Sequence, residues 1–227
     1  GAISLLAITI VVLKRYEYKL PRLPILVAVG LFLIFLTSLI QGWSTGIEST
    51  ISGMSEIFWD ISKVADPISF ISQYNTLQES LSLHAQTQPP GAVLTIYLLN
   101  IIFQEPAIIA IGLSMIAGII SAFFVNGIYR RLFSDEAAKY GTLLYLLLPA
   151  IQVYYLANIY AIVATLAAAT LYFYLHPNRI LGVAGSFASI FLGTFISFLF
   201  VYIPLALLIY ELLMAWSSSR GNTISDR

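Results

Sequence analysis

The chain has 227 residues, of which 59% are hydrophobic and only 10% are charged, and its formal net charge is zero. Because soluble domains carry about 25% charged residues, this composition excludes an ordinary soluble domain and predicts membrane-spanning segments. The absence of cysteine excludes disulfides and thiolate metal sites. No alternating strand pattern occurs, so the segments are expected to be helices and not barrel strands.

In chain order, the apolar segments cover residues 2–13, 23–40, 92–103, 107–128, 137–156, 159–175, 180–198 and 199–216. The sequence begins at Gly1 inside the first segment, without the basic start of a signal peptide, and we expect a fragment whose first helix is cut. Segment 92–103 would be about 18 Å long as a helix, against a hydrocarbon core of about 30 Å. It is therefore too short to span.

The basic residues predict the sidedness of the chain. Lys14, Arg15, Lys19 and Arg22 cluster between the first two segments, which marks that loop as cytoplasmic. If segment 92–103 lies in the outer interface as a juxtamembrane helix, ten of the eleven Lys and Arg residues fall on the cytoplasmic side, and only Lys63 lies outside. We therefore predict an all-α polytopic membrane domain over residues 1–216, with an outer loop over 41–106 and a polar cytoplasmic tail over 217–227.

The outer loop carries two helical patterns. Apolar residues at 51, 54, 57, 58, 61 and 64 recur at helical spacing, and a second set follows at 70, 74, 77 and 81. Both patterns predict amphipathic helices that lie on the membrane surface. Asp66-Pro67 separates them, since proline restricts the residue before it and starts helices well.

Three acids of this loop are candidates for chemistry. Asp66 stands at the helix break, where it could act as a general base, bind a metal, or cap the following helix. Glu56 and Asp60 are four residues apart and could hold a cation or an acceptor group, although a solvated helix face is the commoner outcome. Asp60 can also pair with Lys63 at i+3.

The stretch His84-Ala-Gln-Thr-Gln-Pro-Pro-Gly91 is a second candidate region. His84 could bind a phosphate or relay protons, or it could be an exposed loop imidazole. Thr87 and Gln88 present a hydroxyl and an amide just ahead of Pro89. Free amides at the start of a helix there would form an anion site.

Other polar residues give weaker signals. Tyr154, Tyr155, Asn158 and Tyr160 follow Pro149 near a helix end, where an interfacial belt is commoner than a substrate contact. Glu211 lies in a spanning segment near its predicted cytoplasmic end. No metal-ligand cluster, nucleophile elbow or glycine-rich phosphate loop occurs in the sequence.

Taken in order, these residues resemble the GT-C superfamily of integral membrane glycosyltransferases. The resemblance is carried by Asp66-Pro67, Tyr74, His84, Thr87 and Pro89-Pro90-Gly91. Further motifs follow in the expected order, namely Arg130-Arg131-Leu132-Phe133 and Leu148-Pro149-Ala150.

The resemblance implies transfer of a sugar from a polyprenyl-phosphate carrier to an acceptor on the outer face. It implies Asp66 as the base and the donor phosphate near His84, Thr87 and Gln88. Candidate acceptor or cation contacts are Glu56, Asp60, Tyr74 and Asn158. A divalent metal ion is an open expectation, membrane lipid is an expected partner, and nucleic acid is not.

The chain departs from the superfamily pattern in two places. Gln88 stands where many relatives have histidine, and Asn158 is the nearest polar residue to an expected second acid. The chain is also shorter than usual members. These departures leave an inactive homologue that binds carrier lipid as one alternative. A transporter or a scaffold whose outer loop only binds or assembles is a separate alternative.

Overall fold

The computed structural model describes residues 20–154 and 159–219, and within these ranges it is helical without a strand. The α-helices are α1 (Leu23–Leu39), α2 (Ser49–Ser52), α3 (Pro67–Leu77), α4 (Leu83–Gln86), α5 (Pro90–Phe103), α6 (Pro106–Leu132), α7 (Asp135–Leu146), α8 (Pro149–Tyr154), α9 (Ile159–Tyr174), α10 (Arg179–Ile196) and α11 (Tyr202–Ser219). Short 3₁₀ segments cover Ile57–Lys63, Gln78–Ser80 and Phe198–Val201, and a π-helical turn covers Ser44–Glu48. The all-α prediction is confirmed for the described ranges.

Three helices in the described ranges are long and apolar enough to cross a membrane: Pro106–Leu132, Arg179–Ile196 and Phe198–Ser218. A fourth candidate arises if α1 and the segment Ser44–Lys63, which are bent by 118° at their junction, count as one broken span. α5 and α9 are apolar but shorter. The chain is thus a membrane protein by helix length and composition.

The predicted segments match the helices except at two places. Segment 137–156 is broken into α7 and α8, because Pro149 lacks an amide hydrogen and disfavours a helical conformation at the residue before it. Segment 199–216 begins with a 3₁₀ turn, and α11 continues to Ser219, into the predicted tail. Segment 2–13 lies outside the described residues.

α6 is the central helix, packed against α7, α9, α5 and α1. Its buried face is made largely of small residues, namely Ala107, Ala110, Ser114, Ala117, Gly118, Ser121 and Ala122. Small side chains let helix backbones approach closely where the hydrophobic effect does not drive helices together. Near its C-terminal end, Asn126 donates a buried hydrogen bond to the Thr142 hydroxyl of α7, 3.1 Å away.

The outer loop folds differently from its prediction. A single helix through residues 51–64 is wrong, because α2 ends at Ser52, Gly53 is extended with ψ 159°, and a 3₁₀ segment begins only at Ile57. The second predicted helix exists as α3, and the chain is extended again by Leu81.

Part of each apolar face is buried against the chain's own core, whereas Trp59, Ile68 and Ile71 are exposed, and the membrane-surface position of these helices stays a prediction. Buried members of both predicted patterns belong to one core cluster with α5 and α6, namely Ile51, Ile57, Val64, Phe70, Tyr74 and Leu81. Met54, which the pattern assigned to the apolar face, is fully exposed. The loop therefore packs against α5 as one unit.

The start of α5 packs tightly against the end of α10. A Cβ atom added at Gly91 would lie 2.3 Å from the carbonyl oxygen of Phe195, and a backbone atom there cannot rotate away. We expect Gly91→Ala to destabilise the protein by about 1–3 kcal/mol through overpacking. Thermal unfolding in detergent measures the effect.

Gly112→Ala is the matched control, because the nearest neighbour of its added Cβ is the Phe103 ring at 3.2 Å, which can shift. Equal stability of the Gly91→Ala and Gly112→Ala proteins would contradict the close packing of α5 on α10.

Candidate functional site

A small cavity lies where the outer loop meets the starts of α5 and α9. Its volume is about 70 Å³, and its lining residues are Ile51, Glu56, Ile57, His84, Thr87, Gln88, Ile96, Ile159 and Tyr160. Isoleucines form the apolar walls, and the polar members come from three separate elements. Four of the predicted site residues therefore line one cavity: Glu56, His84, Thr87 and Gln88.

Glu56 and His84 form one polar side of the cavity. The Glu56 Oε2 atom lies 3.1 Å from His84 Nδ1, and the His84 amide donates to the Ser55 carbonyl at 3.3 Å. A carboxylate only accepts hydrogen bonds, so Nδ1 carries the hydrogen in this contact. In the neutral ring, Nε2 is then the nitrogen with a free lone pair, which is the arrangement of an oriented histidine base.

Local sequence positions both members of this pair. Gly53 is extended and ends α2, and Glu56 is the extended residue just before the 3₁₀ segment Ile57–Lys63. Glu56 therefore lies in a connection between two helical segments. Ser82 caps α4 by accepting a hydrogen bond from the Ala85 amide, which places His84 in the first turn of that helix.

Gln88 forms the buried end of the cavity. Its side chain is 6% exposed, and its Nε2 donates to the Tyr160 hydroxyl at 3.3 Å, whereas Oε1 has no hydrogen-bond partner. Thr87 is exposed, and its hydroxyl donates back to the His84 carbonyl at 3.0 Å. Tyr160 thus contacts a site residue, whereas the sequence favoured an interfacial belt for it.

Tyr74 holds the turn before Pro89 but does not line the cavity. Its hydroxyl lies 2.8 Å from the Ala85 carbonyl and 2.5 Å from the Gln88 carbonyl, so its single hydrogen is shared between two acceptors. Burial, with a smaller contribution from the charge of Asp60, raises the pKa of Tyr74 to about 12. Tyr74 therefore remains protonated at neutral pH and positions Gln88 through the backbone.

Asp60 has a structural role in the outer loop. It is 2% exposed, both carboxylate oxygens accept from the Ser82 amide at 3.0 Å, and Lys63 Nζ lies 3.1 Å from Oδ1. The predicted pairing with Lys63 is confirmed, whereas the solvated face is wrong for Asp60. This carboxylate links the 3₁₀ segment to the cap of α4, and so supports His84.

Asp66 is the N-cap of α3. Its carboxylate is exposed and accepts a hydrogen bond of 2.8 Å from the Ser69 amide. That bond to the backbone amide lowers the pKa of Asp66 below its ordinary value. Asp66 does not line the cavity, and its role as base stays a prediction. Asn158 lies outside the described residues.

The cap role of Asp66 predicts a difference between two substitutions. Asparagine is as good an N-cap as aspartate, so Asp66→Asn is expected to preserve α3, whereas Asp66→Ala removes the acceptor and frays its first turn. Since the folded pKa of Asp66 is lowered, the contribution of the carboxylate is present above its ordinary pKa and is lost as pH falls through the lowered value.

Hydrogen exchange at the amides of Ser69 and Phe70 measures this difference. Equal protection in the Ala and Asn variants at neutral pH would contradict a capping role for Asp66.

No group of three or more His, Asp or Glu side chains with the geometry of a metal site occurs in the part of the chain that the structure describes. The Glu56–His84 pair offers two ligands, and the divalent-metal expectation stays a prediction. In comparisons with known proteins, no family, curated protein or solved structure matches the chain.

The sequence singled out Glu56 and His84 separately but did not predict their contact. They are 28 residues apart, and no local spacing connects them. The sequence signal that Glu56 does not continue a helix is the glycine at position 53, three residues before it.

Proposed function

We propose that the chain is a polytopic membrane glycosyltransferase that moves a sugar from a polyprenyl-phosphate carrier to an acceptor hydroxyl on the outer face of the membrane. Two features of the chain support this proposal: the order of motifs that resembles the GT-C superfamily, and the apolar helices beside a polar loop. The outer placement of the loop follows from the distribution of basic residues.

The observation that carries the proposal is the convergence of Glu56, His84, Thr87 and Gln88 on one cavity at the membrane-helix end of the loop. Three of these residues come from the region that the resemblance assigns to the donor phosphate. The fourth, Glu56, adds a carboxylate at hydrogen-bond distance from His84.

In the proposed reaction, His84 is the base and Glu56 is its positioning residue. His84 Nε2 takes the proton of the acceptor hydroxyl, while Glu56 holds Nδ1–H and stabilises the imidazolium that forms. The hydroxyl oxygen bonds to the anomeric carbon of the sugar, the bond from that carbon to the phosphate oxygen breaks, and polyprenyl phosphate leaves with the electron pair. The rival assignment keeps Asp66 as the base.

An inactive homologue that binds carrier lipid is the second candidate function. The observation that favours it is the capping role of Asp66, whose carboxylate is already used by the Ser69 amide. Gln88 in place of a titratable residue agrees with the same alternative.

The proposal is tested with the full chain reconstituted in lipid vesicles. Polyprenyl-phosphate carriers, each with a radiolabelled hexose or pentose, are offered with a membrane extract as acceptor. We expect transfer of label together with release of polyprenyl phosphate. Carrier binding without transfer or hydrolysis across the sugar panel would contradict the enzyme and support the inactive homologue.

A further inference from the structure

An apolar groove lies between α5, α6, α9 and α10. Its volume is about 330 Å³, about twice that of the ~150 Å³ apolar cavity that admits benzene in an engineered protein. The three residues with hydroxyl groups in its lining, Thr95, Thr165 and Ser189, each donate to a carbonyl of their own helix. The groove therefore offers an apolar surface to whatever enters it.

The groove is open at the middle of α6. Ile116 and Ile120 belong to its lining and are 47% and 40% exposed. They lie beside Ile119, the midpoint of a helix that is long and apolar enough to cross a membrane. The membrane at that depth is hydrocarbon without water, so the opening faces lipid chains. A hydrocarbon chain is thus the ligand that fits the groove.

The α6 face that lines the groove continues to Arg131. Lining residues of α6 recur every three or four positions from Leu113 to Phe124, and Arg131 follows seven residues later on the same face. Arg131 is twelve residues from the helix midpoint, or about 18 Å at 1.5 Å per residue. Half of the hydrocarbon core is about 15 Å. For a helix centred in the membrane, Arg131 therefore lies at the level of the lipid phosphates.

Tyr172 connects the guanidinium of Arg131 to the groove. The centre of its ring lies 5.2 Å from that of Phe124 and 5.3 Å from that of Phe173, and both phenylalanines line the groove. Arg131 Cζ lies 3.8 Å from the centre of the same tyrosine ring, and Arg131 Nη1 donates to the Tyr172 carbonyl. Because a guanidinium carries five N–H donors, this bond leaves donors for an anion.

The charge of Arg131 is not neutralised by an acid of the chain. Among the side chains that the structure describes, no ion pair includes this half-buried arginine. Asp135 and Glu136 are exposed at the start of α7, where Asp135 accepts from Arg130 at 2.7 Å, and Glu211 accepts from a tyrosine hydroxyl of α9. An unpaired guanidinium at this depth favours a phosphate group.

From these observations, we propose that the groove and Arg131 together bind an anionic glycerophospholipid, with one acyl chain in the groove and the phosphate on Arg131. The outer-loop cavity lies at the start of α9, at Ile159, whereas Tyr172 lies thirteen residues later, about 20 Å along the helix. The lipid site is therefore separate from the proposed donor site and does not depend on the proposed function.

Native mass spectrometry of the full chain in detergent counts the bound lipids and gives their dissociation constants. The probes are phosphatidylglycerol and phosphatidylcholine with identical acyl chains, polyprenyl phosphate, and inorganic phosphate. We expect one site at which phosphatidylglycerol binds about fivefold more tightly than phosphatidylcholine, the usual effect of one basic residue on an anionic lipid. Inorganic phosphate should not displace the lipid, because it lacks a chain for the groove.

Four substitutions on α6 form two matched pairs. Arg131→Gln should abolish the preference for phosphatidylglycerol, whereas Arg130→Gln removes the same charge from the neighbouring exposed residue and should keep it. Ile120→Phe narrows the opening and should weaken the binding of both phospholipids. Ile119→Phe, at a residue that is 54% exposed and outside the groove lining, should not.

Arg131→Lys and a measurement of thermal unfolding separate charge from packing. Lysine keeps the positive charge and should keep a preference for phosphatidylglycerol; a loss equal to that of Arg131→Gln would show that Arg131 only supports Tyr172. Thermal unfolding shows that each variant is folded.

Five further results would overturn the inference. They are the absence of a retained lipid, equal affinity for the two phospholipids, equal effects within either matched pair, displacement by inorganic phosphate, and tighter binding of polyprenyl phosphate than of phosphatidylglycerol at this site. Displacement by inorganic phosphate would indicate a free-anion site, and tighter polyprenyl phosphate binding would indicate a carrier site.

Discussion

Replacement of Glu56 by glutamine is expected to lower the rate of sugar transfer by about 10²- to 10⁴-fold, the usual contribution of general acid–base catalysis. Glutamine keeps the length of the side chain and an oxygen that can accept from His84 Nδ1, but it removes the negative charge. Without that charge, the imidazolium that forms when His84 takes a proton is no longer stabilised. The loss should therefore appear in kcat, with little change in KM.

Glu79→Gln is the control for this variant, because Glu79 is an exposed acid of the same loop outside the cavity lining. Its transfer rate should equal that of the unmodified chain. Asp66→Asn completes the comparison, since it removes the charge of the rival base while retaining the cap. Near-normal transfer by Glu56→Gln, together with loss of transfer by Asp66→Asn, would reject the Glu56–His84 pair and restore Asp66 as the base.

Replacement of Asp60 by alanine is expected to lower the stability of the outer loop by about 2–3 kcal/mol, because a buried carboxylate that accepts from the Ser82 amide and from Lys63 is lost. At a factor of ten for every ~1.4 kcal/mol, amide exchange in α4 should accelerate by about 30- to 140-fold. Because Asp60 holds the cap of α4, His84 should also lose its fixed position beside Glu56.

Asp135→Ala is the matched comparison for Asp60→Ala. Asp135 lies 2.7 Å from Arg130, yet both side chains are exposed, so its removal should cost less than about 1 kcal/mol. Asp60→Asn, which keeps one acceptor for the Ser82 amide, should fall between the two. Equal exchange rates in α4 for all three variants would contradict the structural role of Asp60.

Much of the helical framework could be predicted from the sequence. The apolar runs that became α1, α6, α9 and α10 were found because a long stretch without charge is a local property of the sequence. Pro149 is a sequence signal for the break of segment 137–156. The break was not predicted, because apolar residues continue on both sides of Pro149 and suggest one helix.

The site was predicted only in part. His84, Thr87 and Gln88 were identified from their position before Pro89, and they do line one cavity. The anion site expected there stays a prediction, whereas the packing of α10 against that helix start through Phe195 was not predicted. A helix that approaches from about a hundred residues later in the chain leaves no signal near Pro89.

The sequence by itself determined the all-helical fold class, the positions of the apolar helices and the polar stretch between residues 41 and 91. Composition and periodicity are local properties, so no tertiary structure was needed for these. Only the tertiary structure decided which hydrogen-bond partner each acid has. In the folded chain Asp60 is buried, Asp66 caps α3, and Glu56 lies at hydrogen-bond distance from His84. These outcomes depend on how α2, α3 and α4 fold back on α5, since contacts between residues far apart in sequence are set by packing and not by local pattern.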